Sequence, residues 1–448
     1  MNNSRWILIF LAAVVTTFGL GFLAASISER RAENLRPTQV MVNPIGEWET
    51  DPAVWGRNFP REYQSWLKTK DSGKDDVGHG PGRTKWGGSD GHDKLARFPH
   101  LKELFAGYGF SKEYNRKKGH AFAVEDVTAT KRLNDKTPGT CFSCKSPDVP
   151  RLMHEMGVAE FYKTPFKDLV GKVQHSISCL DCHDAKTMDL RISRPAFVEA
   201  MNRRGIDVNK ATHQEMRSYV CAQCHVEYYF KGDGKYLTFP WDKAPKDRGV
   251  NVDDIVAYYQ ESGFSDWSHP VSKTPMIKIQ HPDYELWSSG IHAYRGVSCA
   301  DCHMPYKTEG GVKVTDHQVK SPLLGNIAVS CQVCHRWSES EIKARVESIQ
   351  DKTMELMDRA EIALIAAHKA VGECIKLGFT DEELTPARTL LREAQLRWDF
   401  IAAENSTGFH APQESARALG TAIDQARQAE LLALALQLKK PVAAPAQP

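Results

Sequence analysis

The chain has 448 residues, enough for two or three domains, and 41% of them are hydrophobic, a slightly low share for a globular chain of this size. Its formal net charge is only +2, so no bulk electrostatic attraction favours nucleic acid as a partner. Composition therefore argues against a nucleic-acid-binding protein, and the assignment of function rests on the motifs.

The N-terminal segment 1–31 contains an apolar run from Trp6 to about Ile27, with Arg5 before it and charged residues after it. A secretory signal peptide has this order of charged and apolar residues. The run is also long enough to span a bilayer, as an uncleaved signal anchor would. Both alternatives place the rest of the chain outside the cytoplasm, so we expect a periplasmic protein, either released or anchored to the inner membrane.

Residues 32–335 form the predicted catalytic region. Its first part, residues 32–60, contains four prolines and is predicted to be irregular, and the glycine-rich segment 71–93 is predicted to be a loop. From about residue 95 onwards, short helical pieces alternate with turns, and no alternating β pattern is sustained.

Five C-x-x-C pairs in this region use ten of the eleven cysteines, in the segments CFSCK, CLDCH, CAQCH, CADCH and CQVCH. C-x-x-C-H is the pattern of covalent c-type haem attachment, in which the histidine becomes an iron ligand. Zinc ribbons and redox disulfides also use C-x-x-C pairs, but they do not place histidine directly afterwards four times. The predicted haem-attachment cysteines are Cys141, Cys144, Cys179, Cys182, Cys221, Cys224, Cys299, Cys302, Cys331 and Cys334, and the proximal histidines are His183, His225, His303 and His335.

These four haems need a second axial ligand if they are to carry electrons without binding substrate. Four histidines flanked by turn residues and apolar neighbours suit that role: His120, His292, His317 and His410. His368 in a helical segment, and His79 and His92 in the glycine-rich loop, are more typical of ordinary core or surface histidines. The remaining Cys374 is predicted to be a small buried residue.

The first motif has Lys145 where the others have histidine. A lysine amine binds iron only when it is neutral, which burial and the positive iron both favour. A haem held in this way can leave its opposite face open for a small molecule. The alternative is a degenerate motif that has lost its haem, and the four intact motifs around it argue against that. We therefore predict that the altered site is catalytic and that the other four haems conduct electrons to it.

The C-terminal region 336–438 has helical periodicity in segments 338–372, 381–403 and 412–438, with Asp381 as a plausible cap. Long amphipathic helices of this kind pack on one another or on a second subunit, so a plain helical core and a dimer interface are both open. The tail 439–448 is predicted to be disordered.

The motif set resembles that of the pentahaem cytochrome c nitrite reductases that form ammonium. CFSCKSPDVP, CAQCHVEYYF, KIQHP and HAYRGVSCADCHMP match segments typical of that family, and the likeness runs from about residue 40 to about 415. The resemblance implies a mostly α multihaem cytochrome c fold, with short helices and loops wrapped around five covalently bound haem c groups and long helices at the C-terminus.

The resemblance also implies the residues of the active site. Lys145 would be the proximal ligand, with Arg132, Tyr228 and His281 over the open face of the haem. Arg132 is matched by its preceding VTxTxR pattern, although the segment to Cys141 is shorter than in better-known members and a lysine precedes the arginine. The long interval between Cys221 and Cys299 then carries catalytic residues in place of a haem motif.

One Ca²⁺ beside the catalytic haem is implied as well. Its ligands would be the side chains of Glu227 and Gln280 and the backbone carbonyls of Tyr228 and Lys278, which are oxygen donors that suit calcium. The alternative for Glu227 and Gln280 is a solvated pair. Some family members fill this site with a basic side chain, and the presence of Glu227 and Gln280 argues against that arrangement here.

The resemblance implies the pairing of axial histidines too: His317 with His183, His292 with His225, His120 with His303, and His410 with His335. It further implies nitrite as substrate, a membrane quinol-oxidising multihaem cytochrome as electron donor, and a homodimer through the C-terminal helices. Two alternatives remain: turnover of sulfite or hydroxylamine at the same haem, and a non-catalytic electron carrier with all five irons six-coordinate.

Overall fold

The computed structural model describes residues 3–34, 42–71, 84–86, 92–116 and 119–439. The described chain is mostly helical, with long helices at its C-terminal end, which confirms the predicted fold class. Met1–Pro44 and Ile45–Pro448 form two compact units. Of the predicted tail, only Lys439 lies within the described residues.

The first unit contains one helix, α1 (Asn3–Asn34). Within it, Ser4–Ser28 is long and apolar enough to cross a membrane, with a mean hydropathy of 2.5. Such a helix near the N-terminus fits both a signal peptide and a membrane anchor.

In the second unit the helices before residue 338 are short, because the haem motifs and their turns interrupt them. They are α2 (Pro52–Gly56), α3 (Pro60–Leu67), α4 (Lys94–Arg97), α5 (Leu101–Leu104), α6 (Ala123–Thr128), α7 (Asp148–Met156), α8 (Val158–Lys163), α9 (Phe166–Leu169), α10 (Cys179–Cys182), α11 (Pro195–Arg203), α12 (His213–Ala222), α13 (Val252–Ser262), α14 (Asp283–Ser288), α15 (Ile291–Tyr294), α16 (Cys299–His303) and α17 (Ile327–Ser330). Short 3₁₀ turns lie at Lys68–Asp71, Gly109–Ser111, His120–Phe122, Gly139–Phe142, Val170–Lys172 and Val208–Lys210.

The strands of the described chain are short and pair only with a neighbour. They are β1 (His92–Asp93), β2 (Asn115–Arg116), β3 (Tyr229–Lys231), β4 (Tyr236–Thr238), β5 (Trp267–Ser268), β6 (Pro275–Met276), β7 (Tyr306–Glu309) and β8 (Val312–Thr315). They form four separate antiparallel ladders of two strands each: β1 with β2, β3 with β4, β5 with β6, and β7 with β8. The absence of a sustained β pattern in the sequence agrees with these small ladders.

Three long helices follow: α18 (Glu339–Lys376), α19 (Asp381–Ala403) and α20 (Pro412–Gln437). α18 and α20 carry rows of buried alanines, such as Ala360, Ala363 and Ala367 in α18 and Ala422, Ala426 and Ala429 in α20. Because alanine has a small side chain, these faces let the helices approach closely. The predicted helical segments are therefore present with nearly the predicted bounds.

Three details differ from the sequence predictions. Residues 32–60 are not wholly irregular, because Pro52 and Pro60 stand in the first turns of α2 and α3, where a missing backbone N–H costs nothing. The cap of α19 is Thr380 and not Asp381, since the Thr380 side chain accepts from the Glu383 N–H. His92 lies in β1, although its segment was predicted to be loop; His79 lies outside the described residues.

His368 is a buried core histidine, in agreement with the prediction. Its ring stacks on His269 with centres 3.8 Å apart, and both side chains are buried. The His368 Nδ1 lies 2.8 Å from Ser272 Oγ, and its Nε2 lies 2.8 Å from Gln395 Oε1. Burial is the main cause that lowers the pKa of His368 to about 3, and the neighbouring His269 lowers it further. The His368–His269 pair connects α18 and α19 to the loop that precedes β6.

Cys374 is also buried, as predicted.

Candidate haem sites and active site

Each of the four motif histidines faces one of the four predicted distal histidines. The ring centres are 6.3 Å apart for His183 and His317, 6.2 Å for His225 and His120, 6.3 Å for His303 and His410, and 6.3 Å for His335 and His292. Because an imidazole nitrogen binds a transition metal at about 2.0–2.1 Å and the ring centre lies about 1.1 Å behind it, two rings on opposite sides of one iron have centres about 6.3 Å apart. The four separations therefore fit iron between each pair.

Three of the four pairings implied by the resemblance are wrong. His120 faces His225 and not His303, His292 faces His335 and not His225, and His410 faces His303 and not His335. Only the pairing of His317 with His183 agrees with the structure. These partners are far apart in sequence, so the path of the chain decides which of them meet.

The second ring nitrogen of several histidines is fixed by an acceptor. The Nδ1 of His183 lies 2.9 Å from the Met188 carbonyl, that of His303 lies 3.0 Å from the Lys320 carbonyl, and that of His317 lies 2.8 Å from the Thr315 carbonyl. A carbonyl only accepts hydrogen bonds, so each Nδ1 carries a hydrogen, and Nε2 is the nitrogen that would bind the iron. Outer partners of this kind orient metal-binding histidines.

Two buried carboxylates lie beside the rings of two other axial histidines. Asp283 Oδ2 lies 3.1 Å from Nδ1 of His225, and Glu404 Oε1 lies 3.2 Å from Nδ1 of His410. Asp283, Glu404 and His410 also lie close enough together to hold a metal ion. Since His410 faces His303, we interpret both carboxylates as partners of axial ligands. Neither acid was predicted, and no sequence signal distinguishes them from other acids.

The motif cysteines occupy short helices and the turns that follow them. Cys179 and Cys182 begin and end α10, Cys299 and Cys302 lie in α16, and Cys221 lies near the end of α12. None of the ten is paired in a disulfide, as thioether attachment to haem requires. The thiol of Cys144 lies near that of Cys224, and the thiol of Cys221 lies near that of Cys299. The CFSCK, CAQCH and CADCH motifs are therefore neighbours in space, as an electron pathway requires.

Two of the predicted active-site residues, His281 and Tyr228, have pKa values that respond to charged groups of the first motif. Burial lowers the pKa of His281 well below its usual value, and the charge of Lys145 lowers it further. Burial raises the pKa of Tyr228 well above its usual value; Cys144 and Cys141 add to this, and Arg132 opposes it. These charge effects bring His281 within electrostatic reach of Lys145, and Tyr228 within reach of Cys141, Cys144 and Arg132. Lys145 itself lies in the turn after the Gly139–Phe142 segment, and its N–H donates to the Phe142 carbonyl at 2.9 Å.

A short, well-bonded loop holds Arg132. Its Nε donates to Thr130 Oγ1 at 3.1 Å, and Thr130 Oγ1 in turn donates to Glu113 Oε2 at 2.7 Å. The guanidinium lies 4.1 Å from the Phe110 ring centre, a cation–π contact. The aliphatic part of Arg132 passes Gly109, where a Cβ would lie 3.4 Å from the arginine Cγ. The shortened segment before Cys141 thus keeps Arg132 in a defined position near Tyr228.

The residues of the predicted calcium set are also adjacent. Glu227 is fully buried, and its Oε2 accepts from the Gln280 backbone N–H at 2.5 Å. The Gln280 side-chain amide lies 3.0 Å from the Lys278 carbonyl. The Lys278 ammonium is bonded to Asp399, at 2.9 and 3.0 Å from its two carboxylate oxygens. The Lys278 side chain is therefore committed to Asp399. The Glu227 carboxylate accepts from the Gln280 N–H and from the Tyr259 hydroxyl, and carboxylate, amide and carbonyl oxygens are the donor types that Ca²⁺ takes.

Fold and site together define a multihaem c-type cytochrome with one lysine-substituted motif. The family model described as Cytochrome c552 matches residues 51–448. Cytochrome c-552 of Parabacteroides distasonis is 47% identical over 434 residues, with 95% of this chain and 84% of that protein covered. Cytochrome c-552 of Desulfotalea psychrophila is 39% identical, with 96% and 84% covered. The chain therefore belongs to the cytochrome c552 family.

A solved structure extends this assignment. The catalytic subunit of cytochrome c nitrite reductase from Desulfovibrio desulfuricans superimposes with a TM-score of 0.79 at 33% identity, and 87% of each chain is covered. That structure is described as having two calcium sites. The resemblance predicted from the motifs is confirmed, and so is the predicted class, an oxidoreductase homologous to cytochrome c nitrite reductase.

Proposed function

We propose that this chain catalyses the six-electron, dissimilatory reduction of nitrite to ammonium at a lysine-ligated haem c fed by four bis-histidine haems. One observation carries this proposal. The four C-x-x-C-H histidines face second histidines at distances that fit iron, whereas the C-x-x-C-K motif has His281 within electrostatic reach of Lys145, and Tyr228 within reach of Arg132 and the motif cysteines. Saturated bis-histidine iron suits electron transfer, so the site with cationic and proton-donating side chains suits the substrate.

The haem attached to Cys141 and Cys144 would supply an iron for nitrite and pass electrons to it. Arg132 has a planar fork of donors that can hold an anionic oxygen. His281 has a lowered pKa, so near neutral pH it is an uncharged imidazole with one N–H to donate. Tyr228 keeps its hydroxyl proton because its pKa is raised, and it can donate a hydrogen bond to the departing oxygen. Nitrite loses both oxygens as water, so proton donors at this place are needed.

Calcium completes the proposed site. Family membership fits five haem c groups and calcium, and the ion would be held by Glu227, Gln280 and the carbonyls of Tyr228 and Lys278. Three of these four residues adjoin or are a proposed catalytic residue: Glu227 precedes Tyr228, Gln280 precedes His281, and Tyr228 would give its carbonyl to the ion and its hydroxyl to the substrate. The ion would therefore stiffen the two segments that present His281 and Tyr228.

The proposed function also carries a proposed location, electron donor and oligomeric state. The apolar helix α1 supports export, and we propose a periplasmic enzyme, either released or anchored to the inner membrane. Its electron donor would be a membrane quinol-oxidising multihaem cytochrome. The helices α18 to α20 would form a homodimer interface, and residues 1–31, 32–335 and 336–438 would be the export, catalytic and interface regions.

Electron paramagnetic resonance of the fully haem-loaded, oxidised protein tests the assignment of the haems. The proposal expects one high-spin haem whose signal changes when nitrite or cyanide is added, and four low-spin haems that do not respond. Five low-spin haems, none of them responsive to either anion, would instead identify an electron carrier. Product analysis with sulfite and hydroxylamine in parallel distinguishes nitrite reduction from other reactions at the same iron.

A further inference from the structure

Arg194 is buried, with 1% of its surface exposed, and it lies behind the first haem motif. Its Nε donates to the Ser143 carbonyl at 2.6 Å, and its Nη2 donates to the Ser146 carbonyl at 2.9 Å. These two carbonyls bracket Lys145 on the N-terminal and C-terminal sides. A single rigid guanidinium therefore fixes the short stretch of backbone from which the Lys145 side chain extends.

The same arginine is bonded to the second motif. Its Nη2 donates to Asp181 Oδ1 at 2.5 Å, and Asp181 is a residue of CLDCH. The other carboxylate oxygen, Oδ2, accepts from the Ser178 N–H at 2.8 Å at the start of α10. Both carboxylate oxygens of the buried Asp181 therefore accept a hydrogen bond, one from the N-terminal end of α10 and one from Arg194.

The third motif joins through Gln223 of CAQCH. Its Oε1 accepts from the backbone N–H groups of Arg194 and Ser193, at 3.0 and 2.9 Å. Its Nε2 donates to the Asp181 carbonyl at 3.0 Å. Arg194, Asp181 and Gln223, which we call the motif hub, therefore tie together the backbones of three haem motifs, one of them the lysine motif.

A buried ion pair is a costly way to hold a fold together. Removing two charges from water often costs as much as their attraction returns, and apolar residues of similar volume are frequently no less stable. A planar guanidinium does, however, fix the directions of several acceptors at once, which an apolar side chain or a lysine cannot do. The geometry of the motif hub therefore suits positioning more than stability.

We propose that Arg194 is a positioning residue for Lys145, and that the motif hub holds the lysine amine at the distance and angle that the catalytic haem requires. This inference rests on the proposed function, because it assigns Lys145 as an iron ligand. Arg194 donates to backbone carbonyls before and after Lys145. Among the contacts of the described residues, it has no hydrogen bond to Arg132, Tyr228 or His281. It should therefore affect the ligand field of that iron and the rate of turnover more than the binding of substrate.

The structure offers a matched control in the fourth motif. Arg217 is also buried, and its Nη2 donates to Asp301 Oδ1 of CADCH at 3.2 Å. Asp301 Oδ2 accepts from the Ser298 N–H at 2.8 Å, as Asp181 Oδ2 does from Ser178. Arg217 is bonded to the Tyr306 hydroxyl instead of the backbone around Lys145. The two arginines thus share the bond to a motif aspartate and differ in the bonds to the lysine motif.

The test compares Arg194→Lys with Arg217→Lys in fully haem-loaded protein. Both variants keep the positive charge, but a lysine ammonium cannot reach both Ser143 and Ser146 carbonyls and Asp181 in the same geometry. Arg194→Lys is expected to alter the high-spin resonance signal, to shift the midpoint potential of that haem, and to lower kcat about 10- to 100-fold with little change in KM. Arg217→Lys is expected to leave the high-spin signal and that potential unchanged.

Asp181→Asn and Asp301→Asn form a second pair that keeps side-chain shape, in case Arg194→Lys does not accumulate with its haems. The first should change the high-spin signal in the same direction as Arg194→Lys, and the second should not. Unchanged signal and potential in the variants of Arg194 and Asp181 would overturn the proposal for Arg194. Wild-type protein without a high-spin, anion-responsive haem would instead refute the proposed function itself, so the two failures are distinguishable.

Discussion

The rings of His120 and His225 lie with their centres 6.2 Å apart, and Nδ1 of His225 lies 3.1 Å from a carboxylate oxygen of Asp283. The carboxylate is itself fixed, since it accepts from the backbone N–H of Asn405 at 2.7 Å and from the Asn405 side chain at 2.9 Å. Asn405, two residues after the end of α19, therefore helps to orient through Asp283 a predicted haem ligand, His225, that follows α12. His225 belongs to the motif next to the lysine motif, so this pair would hold the haem that passes electrons to the active site.

Replacing His120 with alanine should open the iron held by His225, because the other axial ligand is lost. The variant is expected to gain one high-spin haem that binds cyanide. A crystal structure of the cyanide complex should show the anion on the haem attached to Cys221 and Cys224. His292→Ala is the matched control and should place cyanide on the haem attached to Cys331 and Cys334. Cyanide on the haem of Cys299 and Cys302 in the His120 variant would contradict the pairing.

Local chemistry in the sequence selected the eight histidines that the structure brings together in pairs. The C-x-x-C-H pattern marks covalent attachment wherever it occurs, and the long helices from Glu339 onwards follow from their periodicity. The four distal histidines could be selected from their settings, but three of their partners could not, because pairing depends on how distant segments cross. Asp283, Glu404 and Arg194 were missed for the same reason: each acts through a contact with a segment far away in the chain.

Arg132→Gln tests the residue that should hold the anionic substrate. Loss of the charged fork is expected to lower kcat/KM for nitrite about 10²- to 10³-fold, the usual effect of removing a preorganised charge-stabilising donor. Uncharged hydroxylamine should lose much less activity, because it presents no anionic oxygen. Lys131→Gln, which removes the adjacent exposed cation, should behave as wild type. Equal losses for both substrates would mean that Arg132 does not act on the substrate charge.

Glu227→Gln tests the calcium site with a nearly isosteric change. Since carboxylate charge sets calcium affinity, the affinity for Ca²⁺ should fall more than about tenfold. Nitrite turnover should fall in parallel, and excess Ca²⁺ should partly restore it. Calcium per chain by elemental analysis and turnover after chelation are the measurements. Glu285→Gln is the control: Glu285 is also buried and accepts from the Glu227 N–H, but it is not in the proposed ligand set. A Glu227 variant with unaltered calcium content would refute this ligand assignment.

The buried His368 predicts a dependence of stability on pH. Its folded-state pKa of about 3 lies below the unfolded value of about 6.5, so the unfolded chain binds the proton more readily. The neutral ring contributes stability that is fully present above pH 6.5 and is lost as pH falls from 6.5 towards 3, by about 2 kcal/mol at pH 5. His368→Gln should flatten the fall of the thermal midpoint between pH 6.5 and 4.5, whereas a change at the exposed His154 should not. A slope equal to that of wild type would contradict the assignment.

Anaerobic turnover of nitrite by the fully haem-loaded protein tests the central claim most directly. Reduced viologen dye supplies electrons, and ammonium formed is counted against dye oxidised. The account predicts ammonium as the product with six electrons consumed per molecule, and strongly reduced rates when Arg132 or His281 is replaced. If protein that carries all five haems forms no ammonium from nitrite, whether or not it oxidises the dye, that result would contradict the proposed reaction.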